Sequence, residues 1–296
     1  MSATLLLVGY GALALGVGVI VGVAVFLAAT YAHLFVHTRD RKRVLRALPR
    51  EFLAEVWAVL SWPWFALLGS RYEGDAKGIR PVILLHGYGM NRMSFYWLGR
   101  ALAKRGLGPL CAMSYVTLRS VRHSALRLAR FVERVCEAEG VKEVDIVCHS
   151  LGGIVARYYA DMLGGAARVK QIITIGTPHR GTMSAHMALD RAAFDLRPRS
   201  PLLAELASCE EGVCVTSIWS RADNVIVPPE NAALGKGDVV FEDLGHMALL
   251  LSPRVADIVV SLLSVEQRAD ALARPALPPP PEPEPDSFGR PSASLS

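Results

Sequence analysis

The first part of the chain is a long run of apolar positions without a single charged residue. Residues 4–31 form an apolar stretch of about 28 residues, and a helix needs roughly 20 to cross a bilayer. A cleaved signal peptide would carry positive charge at its start, a shorter apolar core and a small-residue cleavage site. Here the start is uncharged and the core is too long. The pattern therefore predicts a transmembrane anchor over residues 1–36.

A basic run and a second apolar stretch follow, and together they form a predicted segment over residues 37–75. The basic residues lie between positions 39 and 50 and should face the cytoplasm, although a solvated linker that contacts anionic lipid is also compatible with them. Residues 52–68 are apolar but contain Glu55 and Pro63, and a mid-membrane charge costs about 2.5–3.5 kcal/mol. The sequence favours an interfacial helix over a second span, which would move the following domain to the other side of the membrane.

From residue 81 onward, short apolar runs alternate with amphipathic segments. The runs typical of buried strands are residues 81–85, 143–148, 169–175 and 213–219. Between two of them, apolar residues recur at helical spacing from 121 to 135. The alternation predicts an α/β domain, a mostly parallel sheet flanked by helices on both faces, which we place at residues 76–265.

The composition of the chain predicts a disordered tail and argues against some classes of function. Residues 266–296 are rich in Pro and Ser and are predicted to be a disordered tail, with a weak Pro-rich partner site as the alternative. Much of the formal charge of +5 lies in the one basic run, so we expect no nucleic-acid partner. The five cysteines have no metal-type spacing, and no metal or cofactor is predicted. Cys209 and Cys214 would pair only in an exported domain, and two free thiols explain them equally well.

The sharpest chemical signal surrounds Ser150. The sequence Val-Cys-His-Ser-Leu-Gly-Gly at residues 147–153 lies where a predicted strand ends and a predicted helix begins. A serine in that position occupies a tight, strained turn that exposes its hydroxyl above the sheet. The residue two before it is Cys148 instead of the usual glycine, but cysteine is still small. We predict that Ser150 is a nucleophile.

A serine hydroxyl needs a base, and the base needs an orienting acid. In this topology the chain order is serine, acid, histidine, and among the downstream histidines only His246 lies near the end of the domain. His179 and His186 fall in a predicted lid. The acid should follow the strand that ends at residue 219, which selects Asp223; Asp243 competes but lies only three residues before His246.

Acyl transfer also requires hydrogen-bond donors for the oxyanion. One is the backbone N–H of the residue after the nucleophile, Leu151. The second should come from the loop after the first strand of the domain, where the sequence His-Gly-Tyr-Gly at residues 86–89 lets the backbone turn toward the site. We assign the second donor to the N–H of Tyr88 and expect His86 to be structural.

Four motifs in this order resemble those of bacterial lipases and esterases of the α/β-hydrolase superfamily. They are His-Gly-Tyr-Gly-Met-Asn at 86–91, Cys-His-Ser-Leu-Gly-Gly at 148–153, Ile-Gly-Thr-Pro-His-Arg-Gly-Thr at 175–182, and the pair Asp223 and His246. The resemblance covers residues 80–263 and implies the α/β-hydrolase fold with a short lid over residues 179–206. It implies apolar substrate contacts from Met183 and Met187 in that lid, and we add His149 as a third contact.

These predictions lead to three hypotheses of function. The first is a membrane-anchored serine hydrolase that cleaves carboxylic esters of acyl lipids, located in the cell membrane and, by the resemblance, in a bacterial inner membrane. The second is an acyltransferase or thioesterase that uses the same acyl-serine chemistry. The third is a non-catalytic membrane scaffold. The sequence leaves acyl-chain length, head group, oligomeric state and the side of the membrane open.

Overall fold

The short apolar runs of the domain form a sheet whose strands are almost all parallel. The computed structural model describes residues 3–38, 40–66, 71–72, 80–208, 212–235 and 237–273. The strands in this part of the chain are β1 (Arg71–Tyr72), β2 (Val82–Leu85), β3 (Leu110–Met113), β4 (Val144–His149), β5 (Val169–Ile175), β6 (Cys214–Ser220) and β7 (Val239–Phe241). Their order in the sheet is β1-β3-β2-β4-β5-β6-β7, and β1 alone among them pairs antiparallel.

Helices connect the strands and cover both faces of the sheet. They are α1 (Ala3–His37), α2 (Arg41–Ser61), α3 (Tyr96–Lys104), α4 (Val121–Glu139), α5 (Leu151–Met162), α6 (Arg191–Asp195), α7 (Pro201–Ala207), α8 (His246–Leu251) and α9 (Pro253–Ala273). The predicted strands agree with β2, β4, β5 and β6 to within one residue at each end. The predicted fold class, a mostly parallel sheet flanked by helices, is confirmed.

The core lies in two layers because alternate residues of each strand point to opposite faces of the sheet. In β2, Ile83 and Leu85 pack with α4 and α5 on one face. Val82 and Leu84 pack with α3, α8 and α9 on the other. All four are fully buried, which explains why this strand is a continuous apolar run instead of an alternating one.

Helix α1 has one face against the domain and one face that is open. Within the described residues, the one helix long and apolar enough to cross a membrane is Gly16–His37. Val23, Leu27 and Leu34 of this helix are nevertheless buried, packed against residues that include Val44 and Val227. The predicted anchor is therefore also part of the packed structure of the domain.

Helix α2 differs from the prediction for residues 37–75. The basic run and the start of the apolar stretch form one helix, which begins after an N-cap bond in which the side chain of Asp40 accepts from the N–H of Arg43 at 3.0 Å. Glu51 and Ala54 of α2 are buried against the domain, while Leu53 and Leu60 are exposed. One face of α2 thus packs on the domain within the stretch for which the sequence leaves a second membrane span open, and the domain boundary at residue 76 stays a prediction.

The last helix runs past residue 265, where the sequence places the end of the domain. Helix α9 continues to Ala273 instead of ending at residue 265. The amide of Gln267 donates to the carbonyl of Arg80 at 3.4 Å and to Asp145 Oδ2 at 3.2 Å, which fixes this part of the helix on the buried Arg80–Asp145 ion pair. The predicted tail overlaps the helix by its first eight residues, 266–273, and the remainder, residues 274–296, lies outside the described residues.

Candidate active site

Ser150 occupies a strained backbone conformation between β4 and α5. Its φ of 53° and ψ of −123° lie in a region that residues other than glycine rarely adopt. The Ser150 N–H donates to the carbonyl of Ile175 at 2.9 Å and the Ser150 carbonyl accepts from the side chain of Thr177 at 3.0 Å. Strain of this kind is found at functional sites, where the surrounding structure maintains it. The turn is the one predicted for a nucleophile at a strand-to-helix junction.

Small residues around Ser150 allow three backbone segments to meet. A Cβ atom at Gly152 would lie 2.4 Å from the Leu85 carbonyl oxygen, and one at Gly87 would lie 2.9 Å from the Ser150 Cβ. Cys148, the departure from the usual glycine, is fully buried, and its thiol donates to the Ile173 carbonyl at 3.4 Å. Burial raises the pKa of this thiol, so Cys148 is a packing residue.

The crowding at Gly152 gives a stability prediction. Gly152→Ala should lower the free energy of unfolding by about 3 kcal/mol, because the new methyl group meets backbone atoms that cannot move aside. Gly22→Ala is the control, since a Cβ there meets nothing within 4 Å. Denaturant unfolding of both variants in the same detergent measures the difference. Equal stability of the two would contradict the packing described here.

Asp223 and His246 form a buried hydrogen-bonded pair. His246 Nδ1 lies 2.9 Å from Asp223 Oδ2, and the other carboxylate oxygen accepts from the N–H groups of Val225 and Ile226 at 2.9 and 2.8 Å. Gly176 permits this approach: a Cβ there would lie 3.3 Å from both Asp223 Oδ2 and His246 Nδ1. The carboxylate is thus fixed in orientation and directs Nδ1–H toward itself, which leaves Nε2 as the basic nitrogen.

Electrostatics make His246 a stronger base than an ordinary imidazole. Burial alone lowers the pKa of His246, but the charge and hydrogen bond of Asp223 raise it, with further raising from Glu51 and Glu55, and the net direction is upward. Ser150 and His246 line the same cavity. The arrangement can remove a proton from the serine hydroxyl and return it to a leaving group.

The other candidates for the acid and the base do not form this hydrogen-bonded pair. Asp243 accepts hydrogen bonds from Arg50 and Arg254 near the surface, at 2.8 and 2.9 Å. His179 is buried and lies 3.1 Å from the hydroxyl of Thr174, while His186 is bonded to a neighbouring carbonyl in the lid.

The two residues predicted to donate to the oxyanion lie next to Ser150 in the chain or in the same cavity. Leu151 is the first residue of α5 and follows Ser150 directly, and Tyr88 lines the same cavity as Ser150. The loop that holds Tyr88 is anchored by His86, which is fully buried and whose carbonyl accepts from the hydroxyl of Tyr115 at 2.7 Å. Burial lowers the pKa of His86 to about 4, so it is neutral and structural, as expected.

An apolar cavity of about 460 Å³ opens beside Ser150. Its walls come from the loop after β2, the lid, the two N-terminal helices and the segments around Ser150, Ile226 and His246. The residues from α1 and α2 are Phe26, Thr30, Glu55, Ala58, Val59 and Ser61, and those from the lid include Met187, Ala188, Ala193 and Leu196. Helix α1, the predicted anchor, is therefore a wall of the site.

The three predicted substrate contacts have different positions. Met187 lines the cavity and is 57% exposed. Met183 instead packs against the buried side of α1, because the lid rests on that helix. His149 is fully buried beneath His246, with Nε2 3.2 Å from the His246 carbonyl oxygen. The prediction that His149 and Met183 contact substrate is therefore not supported by the structure.

Sequence reasoning missed the acidic residues of α2. Glu51 is fully buried and Glu55 lines the cavity; burial raises the pKa of Glu51 to about 8 and that of Glu55 to about 7. Their spacing of four residues, which places both on one face of a helix, was the available signal.

Within the described residues, no group of three or more His, Cys, Asp or Glu side chains could hold a metal ion. Cys214 is exposed, and Cys209 lies outside the described residues.

The sequence matches known lipases over part of its length. A triacylglycerol lipase of Pseudarthrobacter phenanthrenivorans is 33% identical over 121 residues, 37% of this chain and 36% of the relative. One of Burkholderia plantarii is 33% identical over 121 residues, 37% of this chain and 32% of the relative. The aligned part thus spans about a third of the curated relatives.

The fold matches solved α/β-hydrolase structures at low sequence identity. The mature lipase BlEst2 of Bacillus licheniformis has a TM-score of 0.57 at 14% identity, covering 64% of this chain and 94% of that one. Lipase B of Aspergillus fumigatus has a TM-score of 0.55 at 16% identity, covering 72% and 60%. A monoacylglycerol lipase of Paleococcus ferrophilus has a TM-score of 0.51 at 15% identity, covering 67% and 97%.

A family model covers the part of the chain that contains Ser150 and Asp223. Residues 81–228, half of the chain, match the model described as palmitoyl protein thioesterase. This range begins at β2, includes Ser150 and Asp223, and ends before His246. With its α/β-hydrolase fold, the chain belongs to the palmitoyl protein thioesterase family.

Proposed function

We propose that the protein is a membrane-anchored serine hydrolase that cleaves carboxylic esters of acyl lipids through an acyl-Ser150 intermediate. The observation that carries the proposal is the buried Asp223–His246 pair, 2.9 Å apart, which shares an apolar cavity with the strained Ser150. The lipase relatives support an ester substrate.

The reaction follows from the positions of these groups. His246 takes the proton from the Ser150 hydroxyl as the oxygen attacks the carbonyl carbon of the ester. The N–H groups of Tyr88 and Leu151 stabilise the resulting oxyanion. Collapse breaks the bond to the alcohol, which leaves with the proton from His246. Water then attacks the acyl-enzyme with His246 again as base. The bond to Ser150 breaks, His246 returns the proton to the serine oxygen, and the acid is released.

The cavity favours an acyl chain as the part of the substrate that binds. Its walls are mostly apolar, and Phe26 and Thr30 of the anchor helix are among them. An enzyme whose cavity is built partly from a membrane helix meets amphiphilic esters at high local concentration.

We place the enzyme at the cytoplasmic face of a bacterial inner membrane. The basic residues of α2 follow the apolar helix directly, and positive residues beside a span face the cytoplasm. With α2 packed on the domain, α1 is the single proposed span. Fusions of a reporter enzyme to the end of the chain, active on one side of the membrane alone, test this orientation.

The acyl-chain site gives a prediction at Phe26. Phe26→Ala should lower the ratio of kcat/KM for a dodecanoyl ester to that for a butanoyl ester by about tenfold, because long chains alone reach this wall. Val25→Ala is the control: Val25 is 64% exposed on the same helix. Hydrolysis of p-nitrophenyl esters by the detergent-solubilised full chain measures the ratio. An equal effect on both esters, or an equal effect of the control, would contradict the assignment.

The family match favours thioesters as a second candidate substrate class. A thioester uses the same serine, base and oxyanion donors, and its leaving group is a thiolate. Oxygen esters and thioesters with the same acyl chain should be compared by kcat/KM. A thioester preferred by more than about 100-fold, beyond what a change of one group in an apolar site gives, would replace the lipid ester with a thioester as the substrate.

Covalent labelling tests the catalytic proposal itself. A fluorophosphonate should modify the full chain at Ser150, identified by peptide mass spectrometry. Product analysis with added alcohols separates hydrolysis from acyl transfer, since a transferase would form the new ester. A chain that neither labels nor hydrolyses any ester would be a scaffold, and the proposal would fail.

A further inference from the structure

The first turn of α8 requires hydrogen-bond partners from elsewhere. His246 is the first residue of this helix, and its N-cap is Gly245, which has no side chain to accept from the N–H groups that follow. His246, Met247 and Ala248 are all buried, so water does not readily replace the missing cap. The orientation of the catalytic imidazole depends on what fixes this turn.

Glu51 of α2 accepts from two of these N–H groups. Its Oε1 lies 2.8 Å from the Met247 nitrogen and its Oε2 lies 2.8 Å from the Ala248 nitrogen. The Glu51 side chain is fully buried. A Cβ atom at Gly245 would lie 2.4 Å from Glu51 Oε2, so the glycine at the N-cap provides the space for this carboxyl group.

The third N–H group is connected to α1. The N–H of His246 donates to Asn224 Oδ1 at 3.2 Å, and Asn224 Nδ2 donates to the hydroxyl of Thr30 at 2.9 Å. The Thr30 hydroxyl in turn donates to the carbonyl of Phe26 at 3.1 Å. Asn224 and Thr30 are both buried.

We propose that the two N-terminal helices position the catalytic histidine, with Glu51 and the Thr30–Asn224 pair as positioning residues of the active site. Of three successive N–H groups at the start of α8, two donate to Glu51 of α2 and the third donates to Asn224, which is bonded to Thr30 of α1. A shift in either helix displaces the imidazole relative to Ser150. This proposal rests on the proposed function, because it assigns a role in the same reaction.

Glu51→Gln tests the contribution of α2. An amide nitrogen accepts no hydrogen bond, so this variant leaves one of the two N–H groups without its acceptor. We expect kcat to fall about tenfold to 100-fold, since a displacement near 1 Å has effects of this size, with KM within about twofold of the wild type. The rate of fluorophosphonate labelling of Ser150 should fall with kcat. Glu137→Gln, at an exposed position of α4 on the opposite face of the sheet, is the matched control and should leave both rates unchanged.

Thr30→Val and Thr30→Ser test the contribution of α1. Valine has nearly the shape of threonine but no hydroxyl, so kcat should fall several-fold; serine keeps the hydroxyl and should restore kcat. This pair decides the question if Glu51→Gln fails to fold, as judged by its melting temperature.

The outcomes separate this proposal from the proposed function. Wild-type kcat in a folded Glu51→Gln variant, equal kcat for the Thr30 pair, or a rise in KM with kcat unchanged would each overturn the positioning role while the enzyme remains active. A wild-type chain that neither hydrolyses esters nor labels at Ser150 would overturn both.

Discussion

Replacing Ser150 by alanine should lower kcat for ester hydrolysis by about 10⁶-fold, the size of effect that removal of a serine nucleophile has in serine proteases. Ser150 has its backbone held at a φ of 53° and lines the cavity, and without its hydroxyl no acyl-enzyme can form. Hydrolysis of a chromogenic ester and fluorophosphonate labelling, both with the detergent-solubilised full chain, measure the loss.

The control for Ser150→Ala is Ser208→Ala. Ser208 is exposed at the end of α7, and its hydroxyl bonds a carbonyl of the same helix, so activity and labelling should persist. Circular dichroism should show both variants folded. Ester hydrolysis by Ser150→Ala within a factor of ten of the wild type would remove the proposed mechanism.

Asp223→Asn should lower kcat by about 10⁴-fold, as the loss of the orienting acid does in a serine protease. The asparagine amide can donate toward His246 Nδ1, which favours the tautomer with the proton on Nε2 and leaves Ser150 without a base. The pH profile should also change. Because the Asp223 carboxylate raises the pKa of His246, its removal lowers that pKa, and the imidazole stays neutral to lower pH. The acid limb of kcat/KM should therefore move to lower pH.

Asp243→Asn is the matched control for this substitution. Asp243 accepts from Arg50 and Arg254 at a partly exposed position, and surface pairs of this type contribute little. Its kcat should stay within about twofold of the wild type, and the acid limb of its pH profile should not move. A large loss at Asp243 with none at Asp223 would reverse the assignment of the acid.

The three candidate catalytic residues could be predicted because each of them follows a strand. Parallel strands bring their carboxyl ends to one edge of the sheet, so Ser150 after β4, Asp223 after β6 and His246 after β7 were expected to lie near each other. The glycines at 152 and 153 marked the close approach of strand and helix. Local pattern and topology together were sufficient here.

The contribution of α1 and α2 could not be predicted in the same way. Glu51 binds residues almost 200 positions away along the chain, and Thr30 binds Asn224 across a similar separation. Apolar periodicity gives the face of a helix but not its partner, so from sequence a carboxylate in this region is only an energetic cost for membrane insertion. For His149 the difference is local: the residue before the nucleophile is the last residue of β4, and the structure buries its side chain fully.

The burial of Thr30 against the catalytic loops also fixes the position of the active site along α1. Thr30 lies about 10 Å from the end of α1 at His37, at a rise of 1.5 Å per residue. With α1 crossing the bilayer as proposed, the catalytic loops that Thr30 contacts lie about two helical turns from the cytoplasmic end of the span. A substrate would then reach Ser150 from the membrane, and a water-soluble ester would first have to partition toward the bilayer to react.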